Sequence, residues 1–167
     1  MSAKIQQHVG NLLTSVSSGV IVHGCNAEGV MGAGFALALK RLYPKAFEAY
    51  RKSFEQNGLE LGSVVVYIQD PGDMYQDPLV IANAITQQTT GTDRRQVDYP
   101  AVRKCFKEVA RLARISFVKD VHFPLIGCGL AGGEWSVIEP IIEEELDGLN
   151  AHLWVLPAQP AENSATS

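Results

Sequence analysis

Two segments of this 167-residue chain share one order, an apolar strand, then a glycine-rich turn, then the start of a helix. The first covers residues 20–35 and reads VIVHGCNAEGVMGAGF, and the second covers residues 121–135 and reads VHFPLIGCGLAGGEW. A glycine-rich turn that leads into a helix presents backbone N–H groups, which bind phosphate oxygens. One such turn is weak evidence. Two of them in one small chain indicate a ligand with two phosphates, or with a phosphate and a sugar.

Strand-like and helix-like segments alternate along the whole chain, and this order restricts the possible folds. Apolar, β-branched runs predict strands, and apolar residues at helical spacing predict helices. The predicted strands cover residues 5–9, 19–23, 64–68, 79–84, 118–123 and 152–156; the predicted helices cover residues 34–42, 44–56, 99–113 and 136–146. The alternation predicts an α/β fold, a three-layer α/β/α sandwich with a mostly parallel central sheet. Both glycine-rich turns then lie where strands end, the usual ligand site of such sheets.

Local signals add detail at two places in this prediction. Ser136, with Glu139 three residues later, has the spacing of a capping box and predicts the start of the last helix. Residues 86–98 are polar and irregular, which favours a surface loop. We therefore expect one domain over residues 1–156, followed by a disordered tail over residues 157–167, which is rich in small residues and interrupted by proline.

Composition excludes several classes of protein. The net charge of -4 argues against non-specific nucleic-acid binding as the main role. The N-terminus has no apolar run typical of a signal peptide, and no segment has the roughly 20 apolar residues of a membrane helix. Three cysteines without a close pair indicate reduced thiols, and we expect a cytoplasmic protein. Because the chain has no Cys-x-x-Cys motif and its four histidines lie on separate predicted strands, we expect no metal and no cofactor.

The residues of both turns resemble a known family. Asn26 before the Gly-Ala-Gly at residues 32–34, together with Gly-Cys-Gly-Leu at residues 127–130, is similar to the two ligand loops of macro domains, which bind ADP-ribose. The segment Val-Gly-Asn-Leu at residues 9–12 is similar to the start of that family, and the resemblance covers about residues 5–156. Within the family, His-Gly-Cys-Asn at residues 23–26 and Tyr-Pro-Lys-Ala at residues 43–46 resemble ADP-ribose 1″-phosphate phosphatases of the yeast and phage type.

The resemblance implies roles for individual residues. The implied ligand contacts are Asn11, Gly24, Cys25, Gly32, Ala33, Gly34, Phe35, Gly127, Cys128, Gly129, Leu130, Ala131 and Trp135. The candidate catalytic residues are Asn26, whose amide can bind ribose hydroxyls, and His23, whose ordinary pKa of about 6.5 suits proton transfer. Each of three residues has a second interpretation: Asn26 as a turn residue, His23 as a neutral residue hydrogen-bonded within the sheet, and Trp135 as a core aromatic.

Departures from the family pattern leave the reaction open. Position 11 is Asn where many macro domains have an Asp that binds adenine. A related branch removes ADP-ribose from acidic side chains or DNA by means of a Lys and an Asp, and this chain has Gln87 and Ala131 at those positions. We expect a monomer that binds ADP-ribose and slowly hydrolyses ADP-ribose 1″-phosphate to ADP-ribose and phosphate. The alternatives are a non-catalytic reader of ADP-ribose and a hydrolase acting on ADP-ribosylated protein; we expect neither a membrane nor a nucleic-acid partner.

Overall fold

A computed structural model describes residues 2–158 and shows a six-stranded sheet with helices on both faces. The strands are β1 (Ile5–Val9), β2 (Gly19–Asn26), β3 (Val64–Gln69), β4 (Leu79–Gln87), β5 (Asp120–Phe123) and β6 (Asn150–Val155). The helices are α1 (Leu12–Ser15), α2 (Gly34–Leu42), α3 (Pro44–Asn57), α4 (Tyr99–Ile115) and α5 (Trp135–Glu145), with a 3₁₀ turn at Gly129–Ala131.

The sheet order is β1-β6-β5-β2-β4-β3, and all neighbouring strands are parallel except the edge strand β3, which runs antiparallel to β4. The predicted α/β sandwich with a mostly parallel sheet is therefore confirmed. Because β2, β4 and β5 are parallel, their carboxyl ends lie at one edge of the sheet. Three segments meet there: the first loop (residues 27–33), the rim loop (residues 88–98) and the second loop (residues 124–134).

The side chains of the central strand β2 alternate between two packed faces. Val20 and Val22 belong to a core shared with Phe106 of α4. Ile21, on the opposite face, packs with Leu39 of α2. Burial on both faces explains why β2 reads as a continuous apolar run, and it fixes the strand end from which the first loop starts.

Several predicted boundaries are wrong, each for a local reason. Helix α5 begins at Trp135, so Ser136 lies within its first turn; the actual N-cap is Glu134, whose side chain makes no capping bond. Strand β4 continues through Gln87 into the predicted loop, which then returns to pair with it through a single bridge to Val97. Helix α1 was not predicted. Its N-cap is Asn11, whose side-chain oxygen accepts a hydrogen bond from the Leu13 N–H.

Most of the predicted C-terminal tail, from residue 159 onward, lies outside the described residues. Within residues 2–158, each helix is too short or too polar to cross a lipid bilayer.

Candidate functional site

A cleft opens where the three loops meet at the carboxyl ends of the strands. Its larger part, the large cavity, has a volume of about 780 Å³ and is lined by β2, the first turn of α2 and all three loops. A small cavity of about 560 Å³ lies between the start of α2, the chain after β1 and the end of β6. Six residues line both cavities: Gly34, Phe35, Pro124, Leu125, Cys128 and Gly129. The two cavities therefore form one elongated cleft.

The structure brings nearly all the predicted site residues into this cleft. The large cavity is lined by His23, Gly24, Cys25, Asn26, Gly32, Ala33, Gly34, Phe35, Gly127, Cys128, Gly129, Leu130 and Ala131. Asn11 lies in the small cavity. Trp135 lines neither cavity: its ring packs 6.4 Å from the ring of Phe123, at the margin of the core beneath α4.

Sequence reasoning placed Gln87 at the site but missed Thr86 and the rim loop. Thr86, Gln87, Thr90, Gly91 and Thr92 line the large cavity. The signal that could have found them was the apolar run at residues 79–84, which forms most of β4. A strand parallel to β2 ends at the same edge of the sheet, so the residues after it face the same cleft.

Side-chain hydrogen bonds hold the first loop in place. The Asn26 amide nitrogen donates to the Val30 carbonyl at 2.9 Å, and its oxygen accepts from the Glu28 N–H at 3.0 Å and from the Tyr50 hydroxyl at 2.9 Å. The same hydroxyl also lies 2.7 Å from the Asn26 carbonyl. The single proton of the Tyr50 hydroxyl is shared between these two oxygens of Asn26. The second N–H of the Asn26 amide makes no hydrogen bond to the residues described and is the group most available to a ligand.

Burial keeps the Tyr50 hydroxyl protonated. Tyr50 is fully buried in α3, and this burial raises its pKa far above the ordinary value. The hydroxyl is therefore protonated at neutral pH and available as a hydrogen-bond donor to Asn26.

Close backbone packing shapes the second loop. The Gly133 N–H donates to the Gly127 carbonyl at 2.6 Å, and a β-carbon on Gly133 would collide with that carbonyl and with Val97. Gly127 has a φ of 74°, and a β-carbon there would lie 2.7 Å from Val97 and 2.8 Å from Ile138. The loop is therefore held against the rim loop and α5 at positions where only glycine fits.

Among the described residues that line the large cavity, none is Asp, Glu, Lys or Arg; the Glu28 carboxylate adjoins the lining and accepts a hydrogen bond from the Thr90 hydroxyl at 3.1 Å. The N-cap of α2 is Ala33, which has no side-chain acceptor, so the first-turn N–H groups of that helix are not capped by a side chain. Uncapped N–H groups and the positive end of a helix dipole favour an anion. Backbone groups, not cations, therefore make this cleft suited to phosphate.

His23 lies at the floor of the large cavity as a buried ring. It is 1% exposed, and its Nε2 lies 2.6 Å from the Asn83 side-chain oxygen. The Asn83 amide nitrogen donates to the Ala46 carbonyl at 3.2 Å, which orients the Asn83 oxygen toward His23 and assigns the ring proton to Nε2. Burial lowers the His23 pKa to about 4, although the bond to Asn83 opposes the shift. The ring is neutral at pH 7.

The cysteines of the cleft are also held in their neutral form. Burial raises the pKa of Cys25 well above its ordinary value and also raises that of Cys128. A protonated thiol is a poor nucleophile and a poor metal ligand. Within residues 2–158, no three His, Cys, Asp or Glu side chains are grouped in a way that suits a metal ion.

Comparison with known proteins agrees with this geometry. Residues 22–142 match the model of the Macro domain family. Over 155 residues the chain is 32% identical to a DNA ADP-ribosyl glycohydrolase of Thermus aquaticus, covering 92% of this chain but 41% of that protein. It is 26% identical over 166 residues to an ADP-ribose 1″-phosphate phosphatase of Candida albicans, covering 91% and 99% of the two chains.

The same fold is seen in solved structures. The macrodomain of Thermus aquaticus DarG superposes with a TM-score of 0.74 at 25% identity and covers 93% of this chain and 99% of that chain. The parallel sheet with a phosphate-suited cleft at its carboxyl edge defines an α/β ligand-binding domain. The chain belongs to the macro domain family.

Proposed function

We propose that the cleft binds ADP-ribose and that the protein hydrolyses ADP-ribose 1″-phosphate to ADP-ribose and inorganic phosphate. The observation that carries the proposal is the continuity of the two cavities across the glycine-rich loops. ADP-ribose is an elongated molecule with a base at one end, a diphosphate in the middle and a ribose at the other end. The cleft offers a matching series of environments.

The small cavity suits the adenine end. Phe35, Trp154 and Leu156 give it apolar and aromatic surface, and the exposed side chain of Asn11 stands at its edge. The Asn11 oxygen accepts one hydrogen bond, from the Leu13 N–H, which leaves its second lone pair and the amide nitrogen of Asn11 to contact the base. An amide nitrogen donates to a ring nitrogen of adenine, whereas a carboxylate accepts from its amino group.

The shared wall and the large cavity suit the diphosphate and the distal ribose. Gly129 and the start of α2 present N–H groups without a covering side chain, as a diphosphate requires. Beyond them, Asn26, Gln87 and Thr90 place amide and hydroxyl groups around the far end. Such groups bind ribose hydroxyls.

The uncharged wall limits the chemistry to stabilisation and positioning. Backbone N–H groups stabilise negative charge that develops on a phosphoryl group, and the Asn26 N–H is placed to orient the substrate or a water molecule. His23 is neutral and bonded to Asn83, so its role in this proposal is to fix the end of β2 beneath Asn26. Because phosphate monoesters are very resistant to hydrolysis, this limited set of groups implies turnover well below the median enzyme value of about 10 s⁻¹.

Calorimetric titration with ADP-ribose, followed by an assay of phosphate release from ADP-ribose 1″-phosphate, tests both parts. Asn26→Ala removes the loop-holding amide and is expected to weaken both binding and release. Asn150→Ala is the matched control, because Asn150 lies at the start of β6, outside the lining of both cavities, and bonds to Asp120 at 3.2 Å. Absence of binding at millimolar ADP-ribose by the unmodified protein would reject the proposal. Binding without phosphate release would indicate a non-catalytic protein that only binds ADP-ribose.

A second candidate is release of ADP-ribose from a modified macromolecule. The Thermus aquaticus relative, named a DNA ADP-ribosyl glycohydrolase, favours it, and the exposed residues Thr90–Thr92 form an open rim past which an attached group can extend. Gln87 opposes it, because its amide donates to the Thr89 carbonyl at 2.8 Å and cannot supply the charge of a Lys. Incubation with an ADP-ribosylated oligonucleotide and with an ADP-ribosylated protein, with release of ADP-ribose as the readout, distinguishes this reaction from phosphatase activity.

A further inference from the structure

Strand β4 is irregular at Thr86, beside the large cavity. The register of β2 against β4 pairs Cys25 with Ile85 and then Asn26 with Gln87, so Thr86 is an extra residue on β4. An extra residue of this kind is a β-bulge, and bulges next to ligand sites redirect a side chain. The backbone here is bound on its other side, since the Thr86 carbonyl accepts from the Asp98 N–H at 2.8 Å.

The bulged residue carries a buried hydroxyl group without a partner. Thr86 is 0% exposed, and its hydroxyl is the one buried side-chain polar group that makes no hydrogen bond within residues 2–158. Buried polar groups are nearly always paired because an unpaired one destabilises the fold. Valine has nearly the same shape without this cost, so packing alone does not explain a threonine here.

The hydroxyl lies just beneath the surface of the cleft at Gly24. A β-carbon on Gly24 would be 2.8 Å from the Thr86 hydroxyl oxygen and 3.5 Å from a methyl group of Ile126. All three residues line the large cavity. Any side chain at position 24 would cover the hydroxyl, whereas glycine leaves that side of it without a side chain.

We propose that Thr86 is a further ligand-binding residue, whose hydroxyl donates a hydrogen bond to an oxygen of the sugar phosphate bound in the large cavity. The inference rests on the proposed binding of ADP-ribose and adds a contact from β4 to those from the two glycine-rich loops. It gives Gly24 a specific reason to lack a side chain. It also accounts for the β-bulge. The extra residue breaks the regular alternation of side chains along β4 and so puts a hydroxyl group beside the large cavity.

Three substitutions separate the hydroxyl from the bulk of the side chain. Thr86→Val and Thr86→Ala both remove the hydroxyl, and Thr86→Ser retains it while losing the methyl group. Each variant is compared with the unmodified protein by thermal unfolding without ligand and by calorimetric titration with ADP-ribose.

The proposal predicts opposite movements of the two measurements for Thr86→Val. Its Tm rises because an unpaired buried polar group is gone, while its Kd for ADP-ribose increases about tenfold, as expected for one lost hydrogen bond. Thr86→Ala shows the same loss of affinity, and Thr86→Ser binds within about threefold of the unmodified protein.

Unchanged affinity in Thr86→Val or Thr86→Ala would overturn the inference and leave the proposed function intact. A loss in Thr86→Ser as large as that in Thr86→Val would also overturn it, because the methyl group and not the hydroxyl would then matter. If the unmodified protein fails to bind ADP-ribose, the proposed function falls and this inference falls with it.

Discussion

The first and second loops both line the large cavity, yet different interactions hold them. In the first loop, Asn26 and Tyr50 supply side-chain hydrogen bonds, and a β-carbon added to Gly32 would meet no atom within 4 Å. In the second loop, Gly127 and Gly133 pack so closely against their neighbours that a β-carbon at either position would collide. Gly32 in the first loop and Gly127 and Gly133 in the second therefore serve different purposes, although the two loops look alike in sequence.

This difference indicates which substitutions affect folding and which affect only the cleft. The first loop tolerates a methyl group at Gly32 but not at Gly29, where a β-carbon would lie 2.6 Å from the Phe54 ring, and it weakens when the Tyr50 hydroxyl group is removed. The second loop, which is held by backbone packing, should not tolerate a methyl group at Gly127 or Gly133. The four predictions below test this contrast, in order of their expected effect on stability.

Gly133→Ala should have the largest effect. Its β-carbon would overlap the Gly127 carbonyl and the Val97 side chain, and the carbonyl belongs to backbone that cannot move without distorting the loop. We expect a loss of about 3 kcal/mol in the free energy of unfolding, or about 6–12 °C in Tm, measured by thermal unfolding. A Tm within about 2 °C of the unmodified protein, the shift that a loss of less than about 1 kcal/mol produces, would show that packing does not hold the second loop.

Tyr50→Phe should have the next largest effect, because it removes the hydroxyl that bonds both oxygens of Asn26. The expected loss is about 1–2 kcal/mol, or about 2–8 °C in Tm. Tyr67→Phe is the matched control, since the Tyr67 hydroxyl makes no hydrogen bond within residues 2–158 and its removal should change Tm little. Equal shifts in the two variants would contradict the assignment of Tyr50 as the support of the first loop.

Acid should weaken the support of the first loop through His23. Burial lowers the His23 pKa from 6.5 to about 4, so between these values the unfolded chain binds a proton that the folded protein does not. Stability from this ring is therefore complete above pH 6.5 and declines as pH falls toward 4. His23→Gln, which retains a donor for Asn83, should reduce the slope of Tm against pH in this range.

A second histidine, His122, contributes to the slope of Tm against pH that remains in His23→Gln. His122 has its pKa lowered to about 4, first by burial and then by the neighbouring His152. It lies within β5, and neither cavity includes it in its lining. His23→Gln should therefore leave part of the slope, and the double variant with His122→Gln should remove more.

Amide hydrogen exchange should show that acid reduces protection in the first loop before the second, and the opposite order would refute the contrast.

Gly32→Ala should have the smallest effect on stability. With no atom within 4 Å of the added carbon, we expect Tm to stay within about 1 °C. Its methyl group would project from the wall of the large cavity, so the affinity for ADP-ribose should fall. Calorimetry and thermal unfolding on the same sample test both parts. A Tm loss approaching that of Gly133→Ala would remove the distinction between the loops.

The fold could be predicted from sequence as far as its signals are local. The apolar spacing of α2 and the short run of β1 gave both elements their correct bounds. Helix α1 has only four residues, too few for a periodic pattern, although Asn11 before two leucines is a usable capping signal. The antiparallel pairing of β3 with β4 could also have been inferred, because residues 70–78 between them are too few for the crossover that two parallel strands need.

The walls of the site were predictable, but the contacts that support them were not. Glycine patterns identified both loops as they lie in the cleft. The partners of Asn26 and His23 are Tyr50 and Asn83, which reach them from other elements of the fold. No spacing rule links residues so distant in sequence, because α3 and β4 approach β2 only once the sheet has formed. The bulge at Thr86 depends in the same way on the pairing of two strands.

The pairing of β1 has a consequence for biosynthesis. Within residues 2–158, this strand hydrogen-bonds to β6 alone, and the register joins Ile5 to Ala151. Because a ribosome makes the chain from its N-terminus, β1 emerges long before the strand that receives it. The other five strands can assemble first, with β1 docking as a late step. A contact of such long range slows folding, so the nascent chain carries the unpaired segment at residues 5–9 until β6 (Asn150–Val155) has been made.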